Sequence, residues 1–181
     1  MKARSVFLVG YRATGKSTIG KILAARLDIS FVDTDTLIEA RLGMSIAECF
    51  ERHGEPFFRD AESHSLETVG DRIRAGESLV VATGGGIVLR AENAQKMQSL
   101  GSVVWLTASS QSIRQRLEAD APSTAVSRPS LTGSSAVGEV DDVLRARTPS
   151  YKSVASITCV TDDGRTPEAI ATELFELLRE T

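Results

Sequence analysis

Apolar positions along the chain fall into short blocks separated by longer, mixed stretches with helical spacing. Residues 5–9 form a brief apolar run that stops at a glycine-rich turn. Residues 17–27 follow, with Ile19, Ile22, Leu23 and Leu27 recurring at the period of a helix face. The order is strand, loop, helix. Phe31 and Val32 predict a second strand ending at Asp33. Residues 34–42 then predict a helix with Leu37, Ile38 and Leu42 on one face. Ser45 and Glu48 have the spacing of a capping box, so another helix is expected to start there. A turn at 53–56 (His-Gly-Glu-Pro) precedes a run of good helix formers that reaches about Arg74 and closes before Gly76.

The rhythm continues with a compact apolar strand at 79–82 that ends in Thr83-Gly84-Gly85-Gly86, a helix at 91–100 and a strand at 102–106. Residues 109–119 read as helix and 156–160 as a fifth strand rich in β-branched residues. Pro167 opens a last helix through Leu178 at the favoured first-turn position. Strands alternating with helices predict an α/β fold whose mostly parallel sheet is covered on both faces. The stretch 120–138 is rich in Ser, Ala, Gly, Pro and Thr, lacks periodicity and is long for a connection, so it is expected to be a mobile, functional loop. No element is assigned to 139–155. Without an internal repeat or a second linker-like stretch, residues 1–181 are expected to form a single domain.

Composition narrows the function classes more than it selects one. With 41% hydrophobic and 25% charged residues in 181 positions, the chain matches an ordinary globular protein and not a disordered or collagenous one. A net charge of -3 gives no reason to expect nucleic acid as a partner. The apolar runs are too short to span a membrane, and residues 1–4 lead into the first strand without a signal-peptide core, so a cytoplasmic location is expected. With nine residues ahead of Gly10, no appended DNA-binding module is expected. Cys49 and Cys159 are far apart and outside any C-x-x-C spacing, which predicts reduced, structural thiols.

Chemistry concentrates at the ends of the predicted strands. Gly10-Tyr11-Arg12-Ala13-Thr14-Gly15-Lys16-Ser17 matches G-x-x-x-x-G-K-[ST], and it lies between a strand and a helix. In that setting successive backbone N–H groups from Ala13, Thr14, Gly15, Lys16, Ser17 and Thr18 converge on phosphate oxygens. Lys16 reaches the outer phosphates, and the Ser17 hydroxyl is offered to Mg²⁺. Mg²⁺ also needs a carboxylate. Strand 79–82 ends in threonine and glycines, so Asp33-Thr34-Asp35 is the candidate source, with helix N-capping as the competing role for either aspartate. Gly84-Gly85-Gly86 leaves bare backbone for a ligand to lie against. Arg59 and Arg147, taken singly, read as ordinary surface arginines.

Together the P-loop, D-T-D, G-E-x-x-F-R-x-x-E (54–62), G-G-G, R-P-x-L (128–131) and R-x-P-x-Y (147–151) motifs resemble the shikimate kinase family along nearly the whole chain. That resemblance implies a three-layer P-loop fold with a central five-stranded parallel sheet flanked by helices. The P-loop core would comprise 1–33, 79–119 and 154–181, the shikimate-binding helical region 34–62 and a mobile lid 120–138. It implies ATP and shikimate as partners, Mg²⁺ as cofactor, and a monomer. Lys16, Asp35 and Arg128 would be catalytic, with Arg128 also touching the nucleotide. Asp35, Arg59, Gly84, Gly85, Gly86 and Arg147 would hold shikimate, the two arginines gripping its carboxylate, and Ser17 and Asp33 would face the metal. Arg116 is the candidate for the adenine. Ala13 stands where the family often has glycine, which raises the question of a positive φ, and Ser130 replaces a leucine. A kinase for another small polyol acid such as gluconate, or a ligand sensor without turnover, are the alternative readings.

Overall fold

The strands are short, and the inner ones are apolar on both sides, which suits a sheet covered on both faces. In a computed structural model, which describes residues 5–119 and 138–179, five of them form such a sheet. They are β1 (Ser5–Val9), β2 (Ser30–Asp33), β3 (Leu79–Ala82), β4 (Gly101–Thr107) and β5 (Ile157–Val160), in the order β2-β3-β1-β4-β5. Every neighbouring pair is parallel. The helices are α1 (Lys16–Leu27), α2 (Thr34–Leu42), α3 (Ile46–Arg74), α4 (Ala91–Leu100), α5 (Ser110–Ala119), α6 (Val140–Val154) and α7 (Pro167–Arg179).

Alternation along β1 divides the core. Phe7 and Val9 pack with Val81, Val103 and Trp105 against Leu66 and Val69 of α3, Met97 of α4 and Tyr151 of α6. Val6 and Leu8 face the other way, with Val80, Val104 and Leu106, onto Ile19 and Leu23 of α1 and Ile170 and Leu174 of α7. Two layers of helix enclose one layer of sheet. The two cysteines are free and buried within apolar clusters, where burial pushes both thiols above their ordinary pKa. No helix among the described residues is long and apolar enough to cross a membrane.

The parallel register aligns the carboxyl ends of the strands, with Val9 beside Trp105, Asp33 beside Ala82 and Thr107 beside Val160. The loops after β1, β2, β3 and β5 therefore open on one edge, with the loop from central β1 in the middle. That loop leaves the sheet at Gly10, whose φ is 141° and where a Cβ would lie 2.3 Å from the Leu106 carbonyl oxygen. Only glycine fits there.

The expected break at 53–56 is present, and one further helix goes beyond the sequence expectation. The predicted turn at 53–56 is a kink within α3, where Gly54 has φ 78° and ψ 176° and Pro56 begins the next turn. Helix α6 occupies a stretch to which no element is assigned above. Its buried positions Val140, Val143, Arg147, Tyr151 and Val154 recur every three or four residues, so the period is present, but Arg147 interrupts the apolar stripe and Pro149 lies inside the helix. Of the predicted lid (120–138), all but Gly138 lies outside the described residues, and Arg128 and Ser130 lie outside them too.

Candidate active site

The P-loop wraps the start of α1. Gly15 adopts φ 90° and no side chain caps this helix, so its first N–H groups are left to face the cleft lined by residues 12–19. The Lys16 ammonium donates to the carbonyl oxygens of Gly10 at 2.9 Å and Tyr11 at 2.7 Å, lying along the loop it serves. Thr14 ties the loop to itself through a 2.8 Å bond to the Tyr11 carbonyl. Ala13 has φ 61°, so the loop does require a left-handed residue there and takes it from alanine.

Asp33 serves two partners at once. Its Oδ1 accepts the Asp35 N–H at 3.0 Å as the N-cap of α2, while Oδ2 accepts the Ser17 hydroxyl at 2.7 Å. The capping role weighed for this residue is therefore present, beside a direct link to the P-loop serine. The donor set also fits Mg²⁺, which takes few protein oxygens and keeps places for phosphate and water. Among the described residues no group of three or more His, Cys, Asp or Glu gathers to form an all-protein metal cage.

The cleft has a volume of about 600 Å³, and its lining runs from the P-loop past Asp33, Asp35 and Thr83 to Arg116, Leu117, Thr161, Arg165 and Pro167. Arg116 does reach the cleft. It donates to the Ala13 carbonyl at 3.0 Å and the Thr161 carbonyl at 2.6 Å, so it ties the P-loop to the loop after β5. A second, smaller pocket of about 40 Å³ is lined by Tyr11, Arg12, Ile46, Phe50 and Phe58 together with Asp35, Arg59, Glu62, Gly84, Gly85, Gly86 and Arg147. All six predicted acceptor-site residues line this one pocket. The two spaces adjoin at Arg12, Asp35 and Ile46.

Steric contact, and not backbone conformation, explains two of the three glycines, since none of them has a positive φ. A Cβ on Gly84 would lie 2.5 Å from Glu62 Oε1, and one on Gly86 would lie 2.0 Å from Arg59 Nη1. The loop is pinned by the Gly84 N–H donating to Thr34 Oγ1 at 3.0 Å and by the Tyr151 hydroxyl donating to the Gly85 carbonyl at 2.5 Å.

The family model of shikimate kinase matches residues 12–179. The chain is 42% identical to a shikimate kinase of Nitratidesulfovibrio vulgaris, over 87% of this chain and 91% of that one. It is 40% identical to shikimate kinase 2 of Dickeya chrysanthemi, over 96% and 95%. The solved structure of shikimate kinase from Acinetobacter baumannii in complex with shikimate superposes with a TM-score of 0.87 at 32% identity, covering 98% of this chain and 93% of that one. The chain belongs to the shikimate kinase family.

Within this chain the two arginines expected to form a clamp are not equivalent. Arg59 is already engaged: it donates to Glu62 Oε2 at 2.6 Å and to Glu55 Oε1 at 2.7 and 3.0 Å. Arg147, on α6, makes no ion pair with a carboxylate among the described residues and is buried. Burial raises the Glu62 carboxyl above its ordinary pKa, against the pull of Arg59, Arg147 and Arg90. Burial likewise pushes the Tyr151 hydroxyl up to about 12, with Arg147 opposing. Tyr151 thus stays a neutral donor to the glycine loop at any ordinary pH.

Sequence reading gave no role to Arg12, Glu62 or Tyr151. Glu62 and Tyr151 stand inside the matched motifs, so the signal was available. The Arg12 partner, Glu139, lies 127 positions away and no local pattern marks it.

Proposed function

We propose that the chain transfers the γ-phosphoryl group of ATP to a shikimate hydroxyl, with the nucleotide in the larger cleft and shikimate in the adjoining pocket. The observation that carries this reading is the convergence of Asp35, Arg59, Arg147 and the three glycines on one pocket beside the P-loop. Lys16 and the N–H groups at the start of α1 hold the phosphates. Arg147 pairs with the shikimate carboxylate, for which a planar guanidinium is suited, and Arg59 supports it from its anchorage on Glu55 and Glu62.

Asp35 borders both spaces, so its carboxylate is placed to orient the acceptor hydroxyl and take its proton. Ser17 and Asp33 are the residues that would hold Mg²⁺, the Asp33 carboxylate acting directly or across water. Bound there, the metal supplies positive charge to the phosphate oxygens. Arg128, which the family resemblance assigns to the transferring phosphoryl group, lies outside the described residues. The glycine loop and the apolar wall of Ile46, Phe50 and Phe58 keep water from competing for the phosphoryl group.

Acceptor-dependent ADP formation tests the reading, measured across shikimate, gluconate and nucleoside monophosphates with Mg²⁺ present. Turnover is expected with shikimate and at background level with the others. ADP formation that ignores shikimate, or that prefers gluconate, would overturn the assignment.

A further inference from the structure

We propose that Arg12 is the cation that stays with the phosphoryl group as it passes from nucleotide to acceptor, and that Glu139 positions it. The inference rests on the function proposed above. Among the described residues only Arg12, Asp35 and Ile46 border both spaces, and Arg12 is the single cation of the three. The P-loop carries it there directly: the Arg12 backbone nitrogen lies 3.7 Å from where a Cβ on Gly85 would stand.

Arg12 is 8% exposed, and its Nη2 donates to Glu139, itself 2% exposed. Its Nε donates to the Tyr11 hydroxyl at 3.4 Å. A guanidinium carries five N–H donors, and these two bonds leave Nη1 with no partner among the described residues. A buried ion pair is a weak source of stability because desolvation offsets its attraction. A buried cation with unused donors between two anion sites instead suits a phosphate oxygen. Glu139 precedes α6, the helix that also carries Arg147, so one helix end fixes Arg12 and its body fixes the proposed carboxylate partner.

During transfer the bond from the γ-phosphorus to the bridging oxygen breaks, and that oxygen leaves with ADP. A bond from the acceptor hydroxyl oxygen to phosphorus forms, and the hydroxyl proton passes to Asp35. The migrating group crosses the boundary at which Arg12 sits. A cation fixed there favours charge in transit and needs no reorganisation. Lys16, held at Gly10 and Tyr11, serves the nucleotide side.

The test compares Arg12→Met, Arg12→Lys and Glu139→Gln in the full chain, measuring kcat, KM and separate titrations of ATP, shikimate and the phosphorylated acceptor with ADP. Arg12→Met is expected to lower kcat about 100-fold. Affinities for ATP and shikimate stay within about threefold, while affinity for the phosphorylated acceptor falls about tenfold or more. Arg12→Lys recovers part of kcat, and Glu139→Gln shows the Arg12→Met pattern at smaller amplitude. An unchanged kcat, or an equal loss of all three ligands together with a lower Tm, would overturn the proposal. Should Arg12→Met fail to fold, Arg12→Lys and Glu139→Gln decide by the same comparison. A wild-type chain without shikimate-dependent turnover would sink the proposed function itself, whereas wild-type turnover with an insensitive Arg12→Met sinks this inference alone.

Discussion

Asp33 caps α2 with one carboxylate oxygen and accepts the Ser17 hydroxyl with the other, so one side chain ties the start of α2 to the P-loop. Arg59 and Arg147 divide in the opposite sense. Arg59→Ala strips a partner from buried Glu62 and is expected to cost about 3 kcal/mol of stability as well as shikimate affinity. Arg147→Ala, which breaks no carboxylate pair among the described residues, is expected to lower shikimate affinity about 10- to 100-fold with little change in Tm. Titration and thermal melts of both variants check this, with ATP affinity nearly unchanged in each; equal losses for ATP and shikimate would remove the clamp. At Ala13 the positive φ predicts that Ala13→Val destabilises by about 1–2 kcal/mol, since a β-branched residue tolerates that region worst. Denaturant melts measure it, and Ala13→Gly serves as the tolerated control. That Lys16, Ser17, Asp33 and Asp35 share one cleft was legible in the sequence because motif spacing ties each to the end of a strand. The Arg12–Glu139 pair was not, because only the folded chain brings the two residues together.

Elements were legible where a local signal fixed both ends. Ser45 and Glu48 form the expected reciprocal capping box: the Glu48 N–H donates to Ser45 Oγ at 3.2 Å, and the Ser45 N–H to Glu48 Oε2 at 2.9 Å. The backbone N–H of Ser45, then its hydroxyl, hold the Glu48 carboxyl below its ordinary pKa. A carboxyl whose folded-state pKa is depressed adds stability above its unfolded value of about 4.3, and that contribution is lost as pH falls through the folded value. Protection factors of amides in the first turn of α3 are therefore expected to drop below about pH 4 in the wild type. In Glu48→Gln the same amides lose this pH dependence; a dependence that persists would assign the effect elsewhere. Helix α6 escaped the sequence reading although its buried positions keep a helical period. A buried arginine in the apolar stripe and a proline within the last turns both argue locally against a helix, and packing of Val140, Val143, Tyr151 and Val154 overrides them.

The sheet order places β1 at the centre, and every functional loop leaves a carboxyl end of a parallel strand on the same edge. Strand and helix alternation was enough to predict that architecture. The order of the strands, and the meeting of two cavities at Arg12, Asp35 and Ile46, depend on crossovers that periodicity does not encode. Because the cavities adjoin, the proposed transfer from nucleotide to acceptor needs no protein nucleophile between them. Following the γ-phosphorus tests this most directly, by mixing the chain with γ-labelled ATP, Mg²⁺ and shikimate and quenching within one turnover. The label is predicted to appear in a shikimate monophosphate, one per ADP formed. Label recovered as inorganic phosphate or bound to the protein, with none on shikimate, would contradict the account.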